Sequence, residues 1–256
     1  MLVLTGSKQS GTALWMQILI AAGVPPFGLA PSADPASPGE GESFEASLRQ
    51  GIYFATNPSP KTGRYVFPEQ IEGCVGELHP AGVTRTDRAF IGKVLVTMRP
   101  VGEYVVAMRR LHALEDATGR GPPARLDPAL EWWAENHSLV KDVAIRRYPA
   151  RFETQDRLLR EPDVLIPDVI RFLGRGDPAR GADAVRPEHR RFDSATDLSI
   201  GQAAQAVCDE LHDTVDRGLP LSTALLAKLD DVHRTLLPAL VAEDARVSAA
   251  FRAGAR

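Results

Sequence analysis

The chain opens on a short apolar run, Leu2-Val-Leu4, closed by Thr5 and Gly6. A run this short, bounded by a glycine turn, predicts a buried β-strand. Polar residues follow from Ser7 to Ser10, and a second glycine, Gly11, closes them off. From Thr12 to Ala22 apolar side chains recur on most sides (Leu14, Trp15, Met16, Ile18, Leu19, Ile20), which predicts a helix packed in the interior. Gly23 and Pro25 stop it. Two further strands are predicted at Cys74 to Leu78 and Lys93 to Met98. The second runs through Arg99-Pro100 into a helix with Val101, Val105, Met108 and Leu111 on one face. Asp127-Pro128 is an N-cap followed by proline at the first helical position, so a helix is expected from there to about Arg147. Arg151 to Thr154 reads as an edge strand. Ile166 to Leu173 reads as a helix ending at Gly174, with Pro167 in its first turn or at a kink.

Between these elements the pattern breaks down. Pro25 to Gly41 is rich in Pro, Gly, Ser and Ala and reads as a loop, with a short helix expected at about Glu42 to Gln50. Asn57 to Pro60, Lys61 to Gly63 and Gly119 to Pro123 carry turn chemistry. Asp177 to Asp197 is polar and loop-like. Two helices are then expected, at about Ile200 to Asp216 and Ser222 to Phe251, the second with a kink at Pro238. There is no internal repeat. Short strands alternating with helices predict an α/β fold, a parallel sheet flanked by helices, over residues 1–176. Residues 177–256 read as a mostly helical C-terminal extension packed on the same domain.

Composition narrows the function without naming it. The 256 residues are 44% hydrophobic and 25% charged, the profile of a globular protein with a substantial core. A net charge of -3 gives no broad basic footprint for nucleic acid or an anionic membrane, so any anion site must be local. The two cysteines, Cys74 and Cys208, stand far apart, which argues for two buried thiols rather than a disulfide framework or zinc site. The apolar stretch Ala13 to Val24 is too short to span a bilayer and lacks a signal-peptide n-region. The expectation is a cytoplasmic protein.

The local anion site is the opening loop. Strand, glycine-rich loop and helix together aim backbone amides and a helix N-terminus at a phosphate. Gly6 and Gly11 have the spacing of a nucleotide-triphosphate loop, but Thr12 stands where its lysine belongs and Ala13 where its hydroxyl belongs. Lys93 to Met98 ends in Arg99, where a magnesium-binding acid would be needed. Both departures favour a metal-free, doubly anionic cofactor over magnesium-ATP.

Three segments in order then resemble the sulfotransferase family, enzymes that use 3′-phosphoadenosine 5′-phosphosulfate (PAPS). Gly6-Ser-Lys-Gln-Ser-Gly-Thr12 is similar to the family's 5′-phosphosulfate loop. Val94-Leu-Val-Thr-Met-Arg-Pro100 resembles the strand and arginine that hold the 3′-phosphate. Arg151 to Pro162, continuing to Arg171-Phe-Leu-Gly174, resembles the family's late strand, Leu-Leu turn and closing helix. Gly41-Glu-Ser-Phe-Glu45 is a weaker fourth match, to a stretch of bacterial members. The chain departs from the family at Gln9, where a basic residue usually precedes Ser-Gly-Thr and Lys8 stands one place earlier. It departs again at Val106 and Ala107, where a phosphate-binding serine is usual. The family's late glycine-rich basic loop is not visible; Arg186, Arg190 and Arg191 are the basic cluster nearest its place.

The resemblance implies a P-loop-like fold and transfer of a sulfuryl group from PAPS, leaving 3′-phosphoadenosine 5′-phosphate (PAP), with no metal. Gly6, Ser7, Lys8, Gln9, Ser10, Gly11 and Thr12 would bind the 5′ end of the cofactor and Arg99 its 3′-phosphate. Lys8 would also steady the transferring group. For the proton acceptor Glu45 is favoured by its family-like Phe44-Glu45 context, His79 is the rival, and Glu77, on the same strand face as His79, is third. The acceptor expected is a small molecule or a glycan-like hydroxyl or amine. The C-terminal helices either cap the site or form a homodimer. Two other function classes stay open: a magnesium-dependent P-loop kinase or NTPase, and a non-catalytic binding protein of the same fold.

Overall fold

The computed structural model describes residues 1–27, 68–119, 121–185 and 193–254. Among them, β1 (Leu2–Gly6), β2 (Val75–Leu78), β3 (Lys93–Met98) and β4 (Ala150–Thr154) form an all-parallel sheet in the order β2-β1-β3-β4. Leu2 pairs with Val75 on one side and Lys93 on the other, so β1 is central. The chain leaves β1 for β2 in one direction and returns to β3 on the opposite side. The gap between the carboxyl ends of β1 and β3 is therefore a topological switch point, where open α/β sheets hold their ligands.

Side chains alternate across β1, and each face has its own cover. Leu2 and Leu4 pack with Leu95 against α1 (Thr12–Ala21) and α6 (Pro162–Leu173). Val3, Val94 and Val96 pack the other way, with Val83 of α2 (Pro80–Arg85) and Leu139 of α4 (Pro128–Arg146). A third cluster joins Met98 and α3 (Val101–Ala117) to Trp132 and Trp133 of α4. Cys208, Leu211 and Val215 of α8 (Gly201–Asp216) and Leu225, Leu229 and Leu236 of α9 (Thr223–Gly254) complete it. The C-terminal helices thus share the core of α3 and α4.

The strands and long helices lie where the hydrophobic pattern puts them, and Asp127 caps α4 by accepting from the amides of Ala129 (2.9 Å) and Leu130 (3.2 Å). Several details differ. Helix α6 begins at Pro162, four residues before the expected start, because proline at the first helical position needs no amide partner. Pro167 then sits in the helix interior and costs one backbone hydrogen bond. The segment expected to be loop after Gly176 contains α7 (Pro178–Ala182), started by Asp177 accepting from Ala179 N at 3.0 Å. Short helices α2 and α5 (Gln155–Arg160) also have too few residues to show a period. Both cysteines are free thiols, but only Cys208 is buried; Cys74 is half-buried, since it precedes β2 instead of opening it. The helix expected at Glu42 to Gln50 lies outside the described residues. No described helix is long and apolar enough to cross a membrane.

Candidate functional site at the carboxyl end of the sheet

The chain leaves β1 at Gly6 and folds back sharply. A Cβ at Gly6 would run into Ser10 Oγ and the backbone oxygen of Thr97, so only glycine lets the loop lie this close to β3. The loop is pinned there by Thr97 Oγ1, which donates to the Ser10 carbonyl at 2.8 Å. Gln9 (φ 60°) and Gly11 (φ 99°) both adopt the left-handed conformation. For a glutamine this costs about 1–2 kcal/mol, which the rest of the loop must offset. Gly11 offers α1 no side-chain cap, and the first helical bond is Trp15 N to Gly11 O at 3.1 Å. The amides of Thr12, Ala13 and Leu14 therefore have no acceptor within the helix.

Strand β3 delivers Arg99 to the same place. Its side chain is 5% exposed, and its Nε donates to Gln155 Oε1 at 3.1 Å, with Nη2 bonded to the same oxygen. Trp132 Nε1 fixes the Arg99 carbonyl at 2.9 Å. Burial lowers the Arg99 pKa to about 10, with Glu103 and Asp156 opposing the shift, so the guanidinium stays charged at neutral pH. Gln155, the first residue of α5, also lies 3.5 Å from where a Gly11 Cβ would be. Loop, arginine and the start of α5 form one cluster.

Strand β2 contributes from the other side. Burial raises the pKa of half-buried Glu77, and a hydrogen bond with the Thr12 side chain opposes that. His79 follows the strand, precedes Pro80 at the head of α2, and is exposed. Desolvation of its ring, and then the Lys8 cation, lower its pKa, so the imidazole is neutral at pH 7. Lys8 itself is exposed on the loop.

Helix α4 closes the third side. Asn136 is 1% exposed, and its Nδ2 donates to Ser7 Oγ (3.1 Å) and to the Trp132 carbonyl (2.8 Å). Ser7 also hydrogen-bonds the Glu135 carboxylate. Burial first, then the charge of Glu131, push Glu135 up to about 7; Ser7 and Lys8 act against the shift. Glu131 accepts from Tyr104 Oη at 3.1 Å, and its pKa is raised chiefly by burial.

The structure therefore brings Gly6 to Thr12, Arg99 and His79 into one neighbourhood. Glu45 lies outside the described residues, as do Arg186, Arg190 and Arg191. Ala107 is buried, Val106 is half-buried, and Arg109 and Arg110 lie exposed on α3. Glu131, Glu135, Asn136 and Gln155 are the site residues that sequence reasoning missed. The signal for the first two was present: Asp127, Glu131 and Glu135 recur every four residues, one acidic line on one helix face. The histidines without ligand spacing serve as packing where they are buried: His137 stacks between Trp133 (5.6 Å) and His233 (4.0 Å). No metal-holding group of three or more His, Cys, Asp or Glu occurs among the described residues.

Fold and site together define a parallel α/β protein with a glycine-framed loop and a buried arginine at the switch point of its sheet. No protein-family model matches the sequence, and no curated protein matches it.

Proposed function

We propose that the protein is a PAPS-dependent sulfotransferase with a P-loop-like site. The observation that carries this reading is the meeting of the Gly6–Thr12 loop with buried Arg99 at the switch point, two anion-favouring features from adjacent strands. The donor set fits a nucleotide with anionic groups at two positions of its ribose, a 5′-phosphosulfate and a 3′-phosphate. The loop amides, the uncapped start of α1, Thr12 and Lys8 suit the 5′-phosphosulfate; Arg99 suits the 3′-phosphate, for which a planar guanidinium is well shaped. The buried Ser10 Oγ, which has no hydrogen-bond partner among the described residues, is a further polar group at the turn. Strand β3 ends in a cation where a magnesium-holding acid would be needed, which supports PAPS over magnesium-ATP.

When bound, PAPS supplies an activated sulfuryl group with PAP as its leaving group. The protein's own part is electrostatic and acid–base. Lys8 neutralises negative charge beside the loop, and Arg99 anchors the far phosphate and so fixes the cofactor's register. His79, held neutral, takes the acceptor's proton on an imidazole nitrogen. It is preferred to Glu77, whose carboxylate is engaged by Thr12. Glu45 stays as the alternative base. The test is turnover of PAPS with a panel of hydroxyl and amine acceptors in wild type, His79→Ala and Glu45→Ala. His79→Ala should lose at least about a hundredfold in kcat while keeping PAP affinity. Unchanged kcat in His79→Ala would remove the histidine from the mechanism.

A further inference from the structure

The Lys8 side of the loop carries an excess of acceptors. Glu131 and Glu135 lie one helical turn apart on α4, and among the described residues Lys8 is the cation that acts on both. One cation cannot neutralise two carboxylates and also a transferring sulfuryl group. Independently of charge, Glu135 Oε2 and Asn136 Oδ1 are buried with no hydrogen-bond partner among the described residues. Asn136 is 1% exposed, and its amide head reaches Ser7 Oγ at 3.1 Å, the same side chain that bonds Glu135. Its orientation is fixed, because Nδ2 also donates to the Trp132 carbonyl. The oxygen is thus a true acceptor, on a side chain that shares Ser7 with the Glu135 carboxylate. Buried acceptors left unpaired destabilise a fold, and their clustering at one spot points to a donor that arrives from outside.

We infer that Glu131, Glu135 and Asn136 form a subsite for a cationic amine, placed beside the Ser7–Lys8 turn, and that the acceptor substrate carries such a group. An ammonium has three donors and no acceptor, which matches two carboxylates and an amide oxygen. It supplies the charge that Lys8 cannot. A neutral hydroxyl would satisfy one acceptor and leave the rest unpaired, so the subsite discriminates by charge as well as by hydrogen bonding. Tyr104 from α3 already occupies one lone pair of Glu131, which leaves Glu135 as the main contact. Calling the ligand an acceptor rests on the sulfotransferase reading; the amine subsite itself does not.

The test is calorimetry on the full chain at pH 7 with hexylamine and hexan-1-ol, each with and without PAP. Hexylamine should bind at least about tenfold more tightly than the alcohol. Its binding should release protons, read from heats in buffers of different ionisation enthalpy. A cation beside Glu135 drives off the proton that its burial and Glu131 retain; Ser7 and Lys8 already oppose that retention, and Tyr104 is the other group facing these carboxylates. Glu135→Gln should lower the amine preference and abolish the proton release, and Glu131→Gln should lower the preference less. Lys8→Met should raise amine affinity by removing a competing cation, a gain that misfolding cannot imitate. Equal affinity for amine and alcohol, or a preference unchanged in Glu135→Gln, would overturn the subsite. Absence of PAP binding with amine selectivity intact would instead overturn the sulfotransferase reading alone.

Discussion

Around the Gly6–Thr12 loop, Thr5 Oγ1, Ser10 Oγ, Glu135 Oε2 and Asn136 Oδ1 are all buried without a hydrogen-bond partner among the described residues. Where α8 and α9 cover the sheet and α4, polar groups, buried or half-exposed, are mostly paired. Thr154 Oγ1 donates to Asp216 at 2.6 Å, Lys141 pairs with Asp230 at 3.0 Å, and the Asp127 amide finds Glu243 at 3.0 Å. His212 Nε2 is the exception on that side. Each unpaired buried group costs about 1–3 kcal/mol, so among the described residues the loop region bears a cost that the helical side mostly avoids. The strained Gln9 backbone lies in the same unsatisfied region.

The contrast breaks most sharply at Arg99. Arg99→Met should weaken PAP binding by about a hundredfold or more, since a buried guanidinium contributes charge-assisted bonds worth about 1.5–3 kcal/mol each. Lys141→Met, which removes a half-exposed cation on the helical side, should change PAP affinity by less than about twofold. Similar losses in the two variants, measured by calorimetry, would erase the distinction between the regions. Gly6→Ala comes next. Its Cβ meets backbone as well as side chain, so the cost should be about 2–3 kcal/mol in chemical denaturation, against about 1 kcal/mol at Gly119, where a Cβ has open space and only the positive φ (65°) resists.

The two regions also respond to pH with opposite signs. Glu135 has a folded-state pKa raised to about 7, so the native state binds more protons than the unfolded chain between about pH 4.5 and 7. Its contribution is full below that window and is lost as pH rises through 7. Glu135→Gln should therefore stabilise the protein at pH 8, by about 2 kcal/mol, and do little at pH 4.5. On the helical side burial and then His233 lower the pKa of His137, so that residue supports folding above the ordinary histidine pKa and withdraws support as pH falls below 6.5. His137→Phe, which keeps a ring in the stack, should flatten the stability loss below pH 6.5, an effect smaller than that at Glu135. Thermal unfolding across pH 4.5 to 8 reads both. Slopes of the same sign in the two variants would show the assignment of these groups to be mistaken.

How much of this was legible in the sequence follows from what each feature depends on. The strands around Leu2-Val-Leu4 and Val94-Leu-Val96 and the capped start at Asp127-Pro128 are local, and composition with spacing suffices for them. The Gly6 and Gly11 frame was equally plain, because a positive φ and a close backbone approach both demand glycine. The convergence of Asn136, Glu135 and Gln155 on that loop was not. It depends on the order β2-β1-β3-β4, which sets α4 and α5 beside a segment more than a hundred residues earlier. Short helices such as α2, α5 and α7 escape for a different reason: five or six residues hold less than two turns, and no period can be read from them.

The proposed function requires the Gly6–Thr12 loop and Arg99 to receive a doubly anionic nucleotide without a metal. Titration of the full chain with PAP in a calorimeter, in buffer containing a chelator, tests it most directly. Expected is a saturable, one-to-one exothermic binding that survives the chelator and is at least about a hundredfold weaker in Arg99→Met. An absence of PAP binding, with ATP binding appearing only when magnesium is added, would contradict it.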